Sequence, residues 1–211
     1  MKYTLIVGTK NWSSWSLRPY LALRHAGAVF EEVVVPLRAD TTTPDILKYS
    51  PTGRVPALKI GDITIWDSLA ICETLNDRHP QAHLWPDDAI ARATARAYAA
   101  EMHSGFPDVR DQLSMDFVRR LPLPALRDAT KAQVARILEA WETTLSGTKD
   151  GFLFGTFSIA DCMYAPVVSR FTTYGVEVSP RVRAYMEKMM ALPAMQDWGK
   201  ASQAEVDAGL A

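Results

Sequence analysis

The chain of 211 residues has only two cysteines, Cys72 and Cys162, and no run of eighteen apolar residues. Two thiols in apolar, helix-like settings do not make a disulfide scaffold. They read as buried free thiols and point to a reducing, cytoplasmic setting. Without a long apolar run, no membrane span is expected. The first apolar stretch, up to Val7, is too short for the core of a secretion signal, so none is expected. Charge of either sign is not in excess. Lys and Arg number 23 against 24 Asp and Glu, a net charge of -1, so no bulk field draws nucleic acid or an anionic membrane. Trp12 and Trp15 beside Lys10 lack the basic patch that base stacking needs. There is no glycine-rich phosphate loop and no cysteine pair at metal spacing. The four histidines, His25, His79, His83 and His103, are scattered. His79 and His83 straddle Pro80, so they make no helical metal pair, and no metal site is expected.

With 48% hydrophobic residues, the chain can bury a full core, as one large domain or two that share an interface. Residues 1 to about 80 alternate strand and helix signals. Leu5-Ile6-Val7 reads as a strand covered on both faces. Leu17 to Ala26 reads as a helix stopped by Gly27. Phe30 to Val35 is a β-branched run ended by Pro36, and Thr43-Pro44 opens a short helix through Lys48. Ala57–Ile60 and Ile63–Trp66 flank Gly61-Asp62, a two-residue hairpin signal. Ser68 to Arg78 is a helix stopped by Pro80. The order is a parallel β-α-β unit, a short helix, an antiparallel hairpin and a covering helix.

A linker falls at 81–86, and from 87 onward the pattern is helical only. Asp87-Asp88 cap an alanine-rich helix running toward Phe106, where Pro107 ends or kinks it. The stretch 119–124 breaks the chain. Val134, Leu138, Trp141 and Leu145 share one helical face. Ser158-Ile159-Ala160-Asp161 is a capping box that opens an apolar helix through Phe171. A last helix runs from Arg181 to Leu192, ended by Pro193.

The chemistry gathers in the first half. Pro directly after Val55, at the mouth of a strand, suggests a fixed, cis-prone bond that leaves the Val55 backbone free to pair. Asp67-Ser68 places a carboxylate, a hydroxyl and free backbone N–H groups at one helix N-terminus. These are parts for gripping a small extended peptide by its main chain and terminal charges. Because proline is tolerated only in the first turn, Pro19 puts the start of the first helix near Trp15 or Ser16. Ser13 and Ser14 then fall at its N-cap, where a thiolate would be favoured.

Taken in order, Ser13-Ser14-Trp15-Ser16-Leu17-Arg18, Gly53 to Leu58, Asp67 to Ile71 and Ser158 to Asp161 resemble the glutathione transferase superfamily. The first is similar to the Ser-Ser-Cys-x-x-Arg signature of the zeta class. The resemblance covers nearly the whole chain. It implies a thioredoxin-like glutathione-binding domain over 1–80 and an all-helical domain over 87–211. The implied activity is glutathione S-transfer, in which the thiol of glutathione is activated as a thiolate for attack on an electrophilic small molecule. A maleylacetoacetate isomerase-like reaction, or a scaffold without turnover, is the alternative. Ser14 or Ser13 would face the sulfur, with Ser14 slightly favoured. Val55 would pair with the cysteinyl part and Pro56 would be cis. Asp67 and Ser68 would hold the γ-glutamyl end, with Trp15 and Arg54 completing the binding set. Met102, His103 and Phe106 would wall the acceptor pocket, His103 as an acid/base group. A homodimer is also implied. Trp15 stands where the zeta signature has Cys, and no cysteine lies in 1–20, which disfavours mixed disulfides at a protein thiol. Asp67 stands for the more usual Glu or Gln.

Overall fold

The computed structural model describes residues 2–211. Four strands, β1 (Tyr3–Gly8), β2 (Phe30–Val35), β3 (Ala57–Ile60) and β4 (Ile63–Ile65), form one sheet in the order β2-β1-β3-β4. β1 runs parallel to β2 and antiparallel to β3, which pairs with β4 in a hairpin across Gly61-Asp62. Leu5, Ile6 and Val7 are all fully buried, because side chains alternate across a strand and both faces are covered. Leu5 and Val7 join the main core. Ile6 packs on the other face with Val35, Ile46 and Ala57.

Three helices serve this sheet: α1 (Ser14–His25), α2 (Thr42–Leu47) and α3 (Ser68–Arg78). After a 3-10 turn at Pro80–Ala82, every named element is a helix: α4 (Ala89–Ser104), α5 (Pro107–Gln112), α6 (Asp128–Ser146), α7 (Ile159–Tyr174), α8 (Pro180–Met190) and α9 (Pro193–Asp207). α7 is the axis of this half. From Ile159 to Phe171 every residue is buried, so an all-round apolar helix sits inside a bundle. Its capping box forms: the Ser158 N–H donates to Asp161 Oδ2 at 2.9 Å, and Asp161 Oδ1 accepts from the Leu153 N–H at 3.1 Å. Burial nevertheless pushes the Asp161 carboxyl up to about 6, against those hydrogen bonds. α1 packs against both α3 and α7 and so joins the sheet to the bundle.

The structure corrects several element boundaries. α1 begins at Ser14, with Ser13 as its N-cap, and carries Pro19 within its body. A proline there costs the helix a hydrogen bond to the Trp15 carbonyl, but α1 is wedged between α3 and α7 and packing overrides the local penalty. Thr41, not Thr43, precedes α2. β4 stops at Ile65 and α4 at Ser104. Pro107 opens α5 and Pro193 opens α9, whereas the sequence pattern had them as terminators. Proline fits the first helical turn as well as it ends a helix, and the α9 register is fixed by tertiary packing of Met195 and Trp198, both fully buried.

α9 also reaches the loop in front of α1. Glu205 accepts from the backbone N–H groups of Lys10 and Asn11 at 2.9 and 3.0 Å, and the Trp198 indole N–H donates to the Lys10 carbonyl at 3.0 Å. From the other side, the Phe117 N–H donates to the Asn11 carbonyl and the Val118 N–H to Asn11 Oδ1. The loop that aims the start of α1 is therefore held by the helical half.

Candidate glutathione site

The hairpin and α3 build one rim of a cavity. Gly53, at φ +63, turns the chain toward Val55; a Cβ there would be strained and would meet Thr43 Cγ2 at 3.1 Å. The Val55–Pro56 peptide is cis, and so is Trp66–Asp67. A cavity of about 550 Å³ opens between them, lined by Trp15, Thr52, Arg54, Val55, Pro56, Trp66, Asp67 and Ser68. The six residues that the sequence pattern groups as a binding set, Trp15, Arg54, Val55, Pro56, Asp67 and Ser68, all lie on this wall. Thr52 and Trp66 are additions. Trp66 read as the end of a strand, and Thr52 had no assigned role.

Asp67 caps α3. Its Oδ1 accepts from the N–H groups of Leu69 and Ala70 at 2.9 and 3.3 Å. Its Oδ2 lies 3.0 Å from Nε2 of His103, which crosses from α4. The carboxylate is thus already engaged on both oxygens, though lone pairs remain for a further donor. Ser68 is buried, and its hydroxyl makes no hydrogen bond among the described residues. An orphaned hydroxyl on a cavity wall is a ready ligand group.

At the α1 end, Ser13 and Ser14 are buried and neither lines the cavity wall. The Ser13 hydroxyl donates to Ser16 Oγ at 2.7 Å rather than capping the helix. Ser16 Oγ in turn accepts from the Gly8 N–H at 3.2 Å. Trp15 does face the cavity. The Arg18 guanidinium lies over its ring at 4.2 Å, that of Arg110 at 4.8 Å, and His103 meets it edge-on at 5.3 Å.

None of Met102, His103 and Phe106, expected to wall an acceptor pocket, lines this cavity. Met102, on the buried face of α4, and Phe106, the N-cap of α5, are core residues. His103 is half-buried. Burial holds its imidazole below the ordinary value near 6.5; Asp67 pulls it up, while Arg18 and Arg110 push it further down. Nε2–H is the donor that Asp67 requires, and Nδ1 is buried without a partner. His103 is not among the residues that line the cavity. Cys72 and Cys162 are free and buried, and burial raises both thiols, so neither is a nucleophile. Among the described residues no group of His, Cys, Asp or Glu could hold a metal ion, and no helix is long and apolar enough to cross a membrane.

A four-stranded mixed sheet with a cis-proline before β3, joined to a helical bundle and bearing a cavity beside that proline, defines a two-domain thioredoxin-like protein. The comparisons take this further. The glutathione S-transferase N-terminal domain model matches residues 12–78, and the C-terminal domain model matches residues 124–188. Glutathione S-transferase 1 of Dianthus caryophyllus is 29% identical over 79% of this chain and 77% of its own. Maleylacetoacetate isomerase of Rattus norvegicus is 29% identical over 87% of this chain and 85% of its own. A glutathione transferase homolog from Burkholderia, crystallised with bound glutathione, superposes with a TM-score of 0.74 at 27% identity, over 97% of this chain and 99% of its own. The chain belongs to the glutathione S-transferase superfamily, whose co-substrate is glutathione.

Proposed function

We propose that this chain binds glutathione in the Trp15–Ser68 cavity, ionises its thiol and delivers the thiolate to an electrophilic small molecule. The observation that carries the reading is the convergence of Val55, cis-Pro56, Asp67 and the unpartnered Ser68 hydroxyl on one cavity. The Val55 backbone pairs with the cysteinyl unit. Asp67, Ser68 and the positive end of α3 hold the zwitterionic γ-glutamyl end, and Arg54 offers charge to a carboxylate. The sulfur lies toward the start of α1. There Ser14 is the better hydroxyl, because the Ser13 proton is already given to Ser16.

Activation takes the thiol from about 8.5–9 to near 7, roughly 2–3 kcal/mol. Ionisation sends the thiol proton to solvent, and the sulfur lone pair then attacks the acceptor. Titration calorimetry with glutathione is the test. Ser68→Ala should weaken binding, and absence of wild-type binding at millimolar glutathione sinks the reading.

Double-bond isomerisation begins with the same thiolate. The Ser13-Ser14 pair and the likeness to the rat isomerase support it as the second reading. A panel of haloarene, unsaturated-carbonyl and peroxide acceptors separates the two, and a scaffold would bind glutathione without turning over any of them. The chain works as a cytoplasmic homodimer in this reading. Free buried thiols suit a reducing compartment, and the exposed Ile63 and Trp66 at the β4 edge offer apolar surface to a second copy. Sedimentation analysis tests the dimer.

A further inference from the structure

His103 crosses from α4 to the cap of α3. Its Nε2–H donates to Asp67 Oδ2 at 3.0 Å, while Asp67 Oδ1 accepts from the N–H groups of Leu69 and Ala70. Among the described residues Asp67 is the only acidic group on the cavity wall, and Arg54 the only basic one. The negative charge open to the ammonium of a γ-glutamyl group is therefore that of Asp67 alone. A partner that orients this carboxylate must leave its charge intact. A neutral N–H donor meets that condition, and a cation does not.

The surroundings of His103 favour the neutral ring. Nδ1 is buried with no hydrogen-bond partner among the described residues. Both nitrogens of an imidazolium are donors, so protonation buries an N–H without an acceptor. The charged groups that face the ring come from three elements. Asp67 of α3 favours the cation, and Arg18 of α1 and Arg110 of α5 oppose it. Arg18 is buried without a hydrogen-bond partner among the described residues, and Arg170 of α7 is a third guanidinium near it. Arg110 is tied to the carbonyls of Met102 and Gly105, which keeps it beside the end of α4. Trp15 meets the imidazole edge-on at 5.3 Å and brings no counter-charge. Burial and two guanidinium groups outweigh one carboxylate, so the imidazole titrates below its ordinary value.

We propose that His103 positions Asp67 and sets the acid limit of glutathione binding. Its neutral Nε2–H fixes the carboxylate and leaves the full negative charge to the ammonium of the γ-glutamyl end. The imidazolium takes that charge for itself. Proton and ammonium therefore compete for one carboxylate, and by linkage each weakens the binding of the other. His103 touches no ligand: it is a positioning residue that acts through Asp67. Because α4 belongs to the helical half and α3 to the sheet half, the grip on the γ-glutamyl end depends on both. This inference rests on the glutathione reading above.

Titration calorimetry across acidic pH tests this with two peptides. One is S-methylglutathione, which has no thiol to ionise; the other is its deaminated analogue, which has no ammonium. In wild type the dissociation constant of S-methylglutathione should rise several-fold as pH falls from about 6.5 to about 5, where the imidazole takes up its proton. The deaminated peptide should bind more weakly at neutral pH and show no such rise. His103→Leu removes the donor and should weaken S-methylglutathione at neutral pH. His103→Gln restores a neutral N–H, and it should recover most of that loss while abolishing the rise in acid. A rise that persists in His103→Gln overturns the inference, as does an equal rise, or none, for the two peptides on wild type. If the His103 variants fail to fold, the two peptides on wild type still decide. A wild type that binds neither peptide overturns the glutathione reading itself.

Discussion

The two ends of the cavity are built on different principles. The β3–α3 end is made of main chain and short polar groups: the Val55 backbone, the Asp67 cap and the Ser68 hydroxyl. It is local, drawn from fourteen consecutive residues, and it can recognise a peptide by hydrogen bonds alone. The α1 end is made of charge and aromatic surface. Trp15, Arg18, Arg110 and His103 come from three helices and touch across two halves of the protein. One end is suited to holding a ligand, the other to changing its ionisation. Substitutions at the first should therefore move binding, and those at the second should move turnover and its pH dependence.

The sharpest test of that division is the serine pair. Ser14→Ala should lower kcat/KM about 10²-fold, as removing one preorganised donor does, with the glutathione dissociation constant nearly unchanged. Steady-state kinetics beside calorimetry checks it. A larger loss in Ser13→Ala would move the sulfur to the other hydroxyl.

Next is the clamp on the loop before α1. Glu205→Ala leaves the Lys10 and Asn11 N–H groups without their acceptor, which costs roughly 1–3 kcal/mol. Turnover should fall with melting temperature while glutathione affinity holds, because the β3–α3 end is untouched. Thermal melts and calorimetry together check this.

At the binding end the expected signature is reversed. Ser68→Ala should weaken glutathione by about 1–3 kcal/mol, since a ligand group loses its partner. It should leave the melt of the unliganded protein unmoved, since that hydroxyl has no protein partner to lose.

The smallest effect is on acid stability. His103 and His25 are both held below the ordinary histidine value, chiefly by burial. The unfolded chain then takes up their protons first, so the folded state loses stability as pH falls below about 6.5. Asp161, raised to about 6, works the opposite way: it recovers stability as pH falls through its own range. His103→Gln should flatten the decline in urea midpoint between about pH 6.5 and 5, leaving the His25 share in place.

The contrast between the two ends also explains what could be read from the sequence. Val55-Pro56 and Asp67-Ser68 announce themselves because turn and cap chemistry is local, and the strand order follows from short-range patterning. The α1 end resists such reading. That Arg18 is buried and unpaired depends on Arg110 and Arg170, which lie more than ninety residues away. That His103 spends its Nε2–H on Asp67 depends on how α4 is rotated, and the same rotation sends Met102 into the core. α9 was hidden because Pro193 stops one helix and starts another.

The grip of Glu205 on Lys10 and Asn11 has a consequence for the order of events in synthesis. The sheet and the β3–α3 rim are complete early in the chain, and amino-terminal units fold first on the ribosome. The anchor for the loop before α1, however, lies 195 residues further along the chain, on α9. A nascent chain can therefore acquire the grip for a peptide before it acquires a fixed place for the sulfur. Full competence arrives only once α9 has been made and has docked on that loop.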